Sequence, residues 1–329
     1  MKNLAVIGSG SWATALVKLL CNRVQRLNWY VREPEIRESI ANHGSNCLYV
    51  SSIQLDTSKL QIFDDADEAA RQSDALLFVV PAAFLKDTAE KISVKLSDKT
   101  VFSAIKGIVP DENMTIGEYF NRRFDLPRNR FGVVSGPTHA EEIALERLSY
   151  LTVACRERET ARQMSELLGC RYLKTVISTD VYGIEYAGII KNIVALCAGV
   201  AHGLGGYGDN FTAVLVSNGF AELKRFIEIS EPHERTAELS AYLGDLLVTC
   251  YSQFSRNRAF GTMIGKGYSV KSAQLEMNMI AEGYYATACM KEINRRFNVD
   301  MPIVNAVYNM LYEKITPVVE MRLLSERFR

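Results

Sequence analysis

A doubly wound α/β domain followed by an all-helical domain is the fold class this sequence predicts, on three observations. Short apolar runs alternate with amphipathic helical stretches over residues 1–178. The first run is joined to the first helical stretch by the loop Gly8-Ser9-Gly10-Ser11-Trp12-Ala13. Beyond that half, strand-like runs become scarce and long helical patterns dominate residues 179–329. Strands alternating with helices imply parallel pairing through crossover helices.

The elements follow in order. Leu4-Ala5-Val6-Ile7 is a buried-strand run, and Ala15, Leu16, Leu19 and Leu20 recur at helical spacing after the loop. A second strand is expected at 27–31, and Pro34 suits the first turn of the next helix, where its missing N–H costs nothing. Further strands are expected at 75–80, 100–104, 131–135 and 151–154, with amphipathic stretches at 64–71 and 84–94. In the second half, helices are expected over 180–200, 211–229, 234–251, 269–296 and 302–314. Five of the eight prolines precede residue 138, in step with that change of texture. Residues 1–178 therefore read as one domain and 179–329 as another, without internal repeats.

Composition narrows the function. The 329 residues carry 38 Lys+Arg against 38 Asp+Glu, so the net charge is zero. Binders of nucleic acid or membrane surfaces need a basic excess, and neither partner is expected here. The seven cysteines are scattered, without a C-x-x-C pair or Cys/His ligand spacing, so reduced thiols and no metal site are expected. The apolar run Ala187–Ala201 is broken by Lys191 and Asn192, and the start of the chain lacks a signal-peptide pattern. A soluble, cytoplasmic protein without membrane insertion is expected.

Gly8-x-Gly10-x-x-Ala13, set between a strand and a helix, matches the Rossmann-like dinucleotide fingerprint. Gly8 permits the tight turn, Gly10 lets backbone approach a pyrophosphate, and Ala13 packs helix on strand. The helix start then offers N–H groups and a positive dipole to phosphate. At the end of the second strand, Arg32 suits the extra phosphate of NADP(H), while the adjacent Glu33 leaves NAD(H) open; the pair leans towards NADP(H), or is simply a solvated strand end.

Lys191 is the most informative residue of the helical half. It shares a helix face with the small residues Ala187, Gly188, Ala195 and Ala198, within an otherwise apolar helix. An ammonium buried there needs a partner. It either snorkels to water or pairs with a structural acid, or it faces a cavity and passes a proton to a substrate oxygen. Asp245 and Thr249 lie four apart, on one helical face; an acid there could steady Lys191, although the pair taken alone reads rather as a solvated face or a cap. Ser255-Arg256-Asn257-Arg258 combines two guanidinium forks with two hydrogen-bonding side chains, and reads as a phosphate clamp or a basic surface turn.

Taken together and in this order, these segments resemble the bacterial-type NAD(P)-dependent glycerol-3-phosphate dehydrogenases over essentially the whole chain. The matching stretches include GSGSWATAL (8–16), SAIKGI (103–108), SGPTHAEEIA (135–144), GIEYAGIIKNIVAL (183–196), GDLLVTC (244–250), SRNRAFG (255–261) and AEG (281–283). The resemblance implies reversible reduction of dihydroxyacetone phosphate to sn-glycerol 3-phosphate with NADP(H) or NAD(H), feeding phospholipid synthesis, in a homodimer. It implies that Lys191 is the proton-transfer residue, with Asp245 and Lys106 beside it in the catalytic set. Substrate contacts fall on Lys106, Gly136, Thr138, Lys191, Asp245, Ser255, Arg256 and Asn257. Cofactor contacts fall on Gly8, Gly10, Ser11, Trp12, Arg32, Lys106, Ala140, Arg256, Ile280 and Glu282.

The chain departs from the family pattern at Thr212 and Asn218, where relatives often carry Arg, and at Ala82, His139 and His202. Two rivals stand beside this reading. One is a different two-domain dehydrogenase acting on a hydroxy acid, which would need a carboxylate-binding arrangement in place of SRNR. The other is a dinucleotide sensor without catalysis, which would predict erosion of Lys191 or Asp245.

Overall fold

The computed structural model describes residues 1, 3–236, 239–277 and 281–328. The chain divides into two compact units: Met1–Ile105 with Ile116–Val181, and Lys106–Thr115 with Tyr182–Arg329.

The first unit is an eight-stranded sheet of β1 (Leu4–Ile7), β2 (Leu27–Tyr30), β3 (Leu60–Phe63), β4 (Ala75–Phe78), β5 (Thr100–Ser103), β6 (Phe131–Ser135), β7 (Ser149–Cys155) and β8 (Leu173–Ser178). Its order is β3-β2-β1-β4-β5-β6-β7-β8, so the direction of winding reverses between β1 and β4. The helices between strands are α1 (Ser11–Cys21), α2 (Pro34–His43), α3 (Ala66–Arg71), α4 (Leu85–Ala89), α5 (Ile116–Phe124), α6 (Ala140–Ala144) and α7 (Arg158–Leu168). Leu4 and Val6 point into a core shared with Leu16, Trp29, Ile143 and Met164. Phe120 of α5 packs on Phe78 with ring centroids 4.8 Å apart. Both sides of the sheet are thus covered, which is why its central strands read as continuous apolar runs.

Three expectations need correction in this unit. β7 runs antiparallel to β6, with Val134 opposite Val153, so pairing is not parallel throughout. The chain between them holds only the five residues of α6 as helix, and it turns back without a long crossover. Strands β3 and β8 were not anticipated: they are the two sheet edges, half-exposed and therefore mixed in sequence. The helical stretch at 84–94 shortens to α4, which begins after a 3₁₀ turn at Ala82–Phe84.

The second unit is helical: α8 (Val181–Leu204), α9 (Asp209–Ser230), α10 (Asp245–Tyr251), α11 (Arg256–Gly265), α12 (Val270–Glu276), α13 (Glu282–Asn294), α14 (Pro302–Leu311) and α15 (Pro317–Ser325). Helix α8 is long and apolar enough to cross a membrane, but most of it is buried inside the protein, as the core helix of this unit. It meets α11 backbone to backbone. A side chain at Gly199 or Gly203 would run into the carbonyls of Arg258 or Thr262, and one at Gly261 or Gly265 into those of Leu196 or Val200. Glu222 of α9 is fully buried and accepts the Ile303 and Val304 N–H groups at 2.9 and 3.0 Å, capping α14.

Here the expected pattern at 234–251 resolves into a π-helical turn, Ser240–Gly244, running into α10. That at 269–296 becomes the separate helices α12 and α13, and α11 and α15 were not anticipated. The segment Lys106–Thr115 belongs to this unit although it precedes residue 178, and Asn192 of α8 donates to the Lys106 carbonyl.

Candidate active site

In the sheet unit, β1 is followed directly by Gly8 at a φ of +126°, a conformation side chains disfavour. A Cβ there would stand 2.7 Å from the Val79 carbonyl oxygen, so only glycine lets the chain leave β1 beside β4, where the winding reverses. Two side chains remote in sequence hold the loop. Trp29 Nε1 donates to the Gly8 carbonyl at 2.7 Å. Asn46, 0% exposed, donates to the Ser9 carbonyl at 2.9 Å and the Thr14 hydroxyl at 2.8 Å. Its amide oxygen accepts the Leu48 and Tyr49 N–H groups, each at 3.1 Å.

Helix α1 starts at Ser11 with Gly10 as N-cap, no side-chain cap and no acid in its first turn. A Cβ on Gly10 would meet nothing within 4 Å, and Trp12 Nε1 is buried without a hydrogen-bond partner among the described residues. Open space before an uncapped helix start fits the pyrophosphate of a dinucleotide. At the end of β2, Arg32 Nη2 lies 2.9 Å from Glu33 Oε1, and Ser9 Oγ donates to Glu33 Oε2 at 2.5 Å. The Arg32 guanidinium stands 5.8 Å from the Phe84 ring centre, in cation–π contact. Burial alone would raise the Glu33 pKa, but the Ser9 hydroxyl, its own backbone N–H and Arg32 outweigh it and hold the carboxyl below its ordinary value.

Beyond β6, Gly136 and Thr138 both press on β7. A Cβ on Gly136 would lie 2.8 Å from the Tyr150 carbonyl oxygen, and Thr138 Oγ1 donates to that oxygen at 3.1 Å. Ala140 opens α6, with His139 as its N-cap.

The helical unit brings the ionisable groups together. Lys191 on α8 is 4% exposed, and its Nζ lies 2.5 Å from Oδ1 of Asp245, itself 1% exposed. Lys106 Nζ stands 3.6 Å from the other carboxylate oxygen, a charge contact longer than a hydrogen bond. Thr249, one turn along α10, donates to the Asp245 carbonyl at 2.5 Å. One buried carboxylate thus serves two ammonium groups. Burial pulls the Lys191 pKa down from 10.5, Asp245 opposes, the Lys106 charge adds to the fall, and the result is about 7. A lysine so placed can give or take a proton near neutrality.

A relay of amides positions this cluster. Asn192, next to Lys191, donates to the Lys106 carbonyl at 2.8 Å and accepts Asn257 Nδ2 at 2.9 Å. Asn257 Oδ1 in turn accepts the Gly283 N–H at 2.8 Å, at the start of α13. Ser255 caps α11 by accepting the Arg258 N–H at 3.3 Å, which leaves Arg256 exposed at the first helical position. Lys106, Lys191, Asp245 and Thr249 are therefore gathered at one point, and Ser255, Arg256 and Asn257 sit on the helix start tied to it. Glu282 opens α13, whereas Ile280 lies outside the described residues. Sequence reasoning assigned no role to Asn192 or Asn46. A polar residue beside Lys191 in an apolar helix was the only available signal for the first; Asn46 offered none.

A glycine-rich strand-to-helix turn at the switch point of a doubly wound sheet, with a buried lysine–aspartate pair in a helical unit, defines a dinucleotide-dependent dehydrogenase. Residues 3–161 match the family model "NAD-dependent glycerol-3-phosphate dehydrogenase N-terminus", and residues 180–321 match that of its C-terminus. The chain is 33% identical over 312 residues to glycerol-3-phosphate dehydrogenase [NAD(P)+] of Prosthecochloris aestuarii, covering 94% of this chain and 93% of the relative. It is 34% identical over 314 residues to the enzyme of that name from Streptococcus sanguinis, covering 95% and 92%. The crystal structure of glycerol-3-phosphate dehydrogenase from Coxiella burnetii superposes with a TM-score of 0.89 at 26% identity, covering 99% of each chain. The chain belongs to the NAD-dependent glycerol-3-phosphate dehydrogenase family.

Proposed function

We propose that the chain reduces dihydroxyacetone phosphate reversibly to sn-glycerol 3-phosphate, with Lys191 as the proton-transfer residue. The observation that carries this reading is the buried Lys191–Asp245 pair with the part-exposed Lys106 beside it. The nicotinamide cofactor, when bound, supplies the hydride to the ketone carbon. Negative charge then develops on the former carbonyl oxygen, and the Lys191 ammonium stabilises it and delivers its proton there. In the reverse direction the neutral amine takes the proton from the hydroxyl. Asp245 keeps the ammonium in place, and Lys106 supplies a second positive charge at the same carboxylate.

The substrate phosphate is assigned to Arg256, whose guanidinium is exposed at the start of α11, with Ser255 and Asn257 beside it. Gripping a group remote from the reacting carbon fixes orientation. Gly136 and Thr138 are assigned as further substrate contacts. Gly8, Gly10, Ser11, Trp12, Arg32, Ala140, Ile280 and Glu282, with Lys106 and Arg256, are assigned to the cofactor. In this reading residues 1–178 are the dinucleotide-binding domain and 179–329 the substrate domain of a cytoplasmic homodimer that supplies glycerol phosphate for phospholipid synthesis.

Oxidation of NADH and NADPH with dihydroxyacetone phosphate, run beside 2-keto and 3-keto acids, tests the substrate class. Turnover confined to the phosphorylated ketone is expected. Turnover of the keto acids without it would overturn the proposal.

A further inference from the structure

The two residues at the end of β2 make opposite demands. A guanidinium attracts the 2′-phosphate that distinguishes NADPH from NADH, whereas a carboxylate accepts hydrogen bonds from the free ribose hydroxyls and repels that phosphate. Their geometry shows which is held and which is engaged. Glu33 is fastened at both oxygens: Ser9 Oγ donates to Oε2 at 2.5 Å, and Arg32 meets Oε1 through Nε at 3.1 Å and Nη2 at 2.9 Å. Its side chain is 20% exposed, against 61% for Arg32.

Ser9 lies between the two glycines of the fingerprint, so the carboxylate is tied directly to the loop assigned to the pyrophosphate. The turn carrying it is itself braced. Arg37 Nη1 donates to the Val31 and Arg32 carbonyls at 2.9 and 2.7 Å, and Pro34 occupies the first turn of α2. Glu33 is the N-cap residue of α2, yet its carboxylate makes no cap hydrogen bond and reaches to the loop instead. A carboxylate used for helix capping would have been turned the other way.

We infer that Glu33, latched by Ser9, sets the cofactor choice of this chain and sets it towards the dinucleotide with a free 2′-hydroxyl, NADH. This rests on the proposed dehydrogenase function and adds to it the choice between two cofactors. The carboxylate keeps acceptor capacity for ribose hydroxyls, since an ionised carboxyl offers about four lone-pair sites. A 2′-phosphate would meet a fixed negative charge and an arginine already paired with it. The charge persists through neutral pH, because Ser9 and Arg32 hold the carboxyl below its ordinary pKa.

Equilibrium dissociation constants for NADH and NADPH, measured by titration calorimetry without substrate, test this apart from turnover. The unaltered protein is expected to bind NADH more tightly. Glu33→Gln keeps the side-chain shape and is expected to move the NADPH/NADH ratio towards NADPH by about tenfold or more, the size of one like-charge contact relieved at a part-exposed site. Ser9→Ala, which frees Oε2 and keeps the charge, is expected to move the ratio the same way by less. Adenosine 2′,5′-bisphosphate against AMP should reproduce the shift, since the discrimination lies at the ribose. A ratio within twofold of the original in both variants overturns the inference while leaving the dehydrogenase reading intact. Failure of the unaltered protein to bind either dinucleotide overturns both.

Discussion

Lys191 shows how burial makes a common side chain into an acid–base group. In water its ammonium would keep its proton far above neutrality. Inside α8 the loss of hydration, countered by Asp245 and reinforced by Lys106, brings its pKa to about 7. The sign follows from the roles. Reduction needs the ammonium, so its kcat/KM should fall as pH rises through about 7; oxidation needs the amine and should rise over the same range. Asp245→Asn removes the charge that favours the ammonium, so the falling limb of the reduction profile should move to lower pH by about one unit or more, at a cost near 1.4 kcal/mol per unit. An unmoved limb, or one shifted upward, would separate Asp245 from the proton. Sequence patterning revealed Lys191 because a charge in an apolar periodicity is visible locally; Asp245 stood out only as one of a pair four apart, and its role came from the family resemblance. Asn46 was not visible: its partners Ser9 and Thr14 are 37 and 32 residues away, and only the fold brings them together.

At the scale of elements, α11 was missed in the helical half, and the reason is physical. Its buried face is built partly of Gly261 and Gly265, which give no apolar periodicity because their purpose is to let the backbone of α8 approach. The same contact fixes Asn257 against Asn192 and so sets the start of α11 beside the lysine cluster. Gly261→Ala should therefore destabilise the protein by about 1–3 kcal/mol through overpacking. Gly206→Ala, in the loop after α8 where a Cβ would meet nothing within 4 Å, should stay within about 0.5 kcal/mol. Denaturant unfolding of the two variants checks the contrast, and equal losses would mean that close helix approach is not what these glycines provide. The edge strands β3 and β8 escaped notice for a related reason: half-exposed strands need no continuous apolar run.

At the scale of the whole molecule, equal numbers of positive and negative charges argue against nothing more than a general polyanion partner, and say nothing of small phosphates. The cations assigned to the proposed site are few and individually placed: Arg32 at the end of β2, Arg256 at the start of α11, Lys106 and Lys191 on one carboxylate. The alternation of strands and helices and the fingerprint loop made the first fold class legible, and the apolar periodicity made the second so. The antiparallel turn of β7 and the transfer of Lys106–Thr115 to the helical unit depend on tertiary contacts and left no local mark. The central claim, that a buried lysine moves the proton, is tested most directly by Lys191→Ala. The initial rate of NADH oxidation with dihydroxyacetone phosphate should fall by about 10²–10⁴-fold in kcat, with the dissociation constant for NADH within about twofold of the original, since an intact fingerprint loop binds the pyrophosphate independently of Lys191. A variant that kept the original rate would contradict the account.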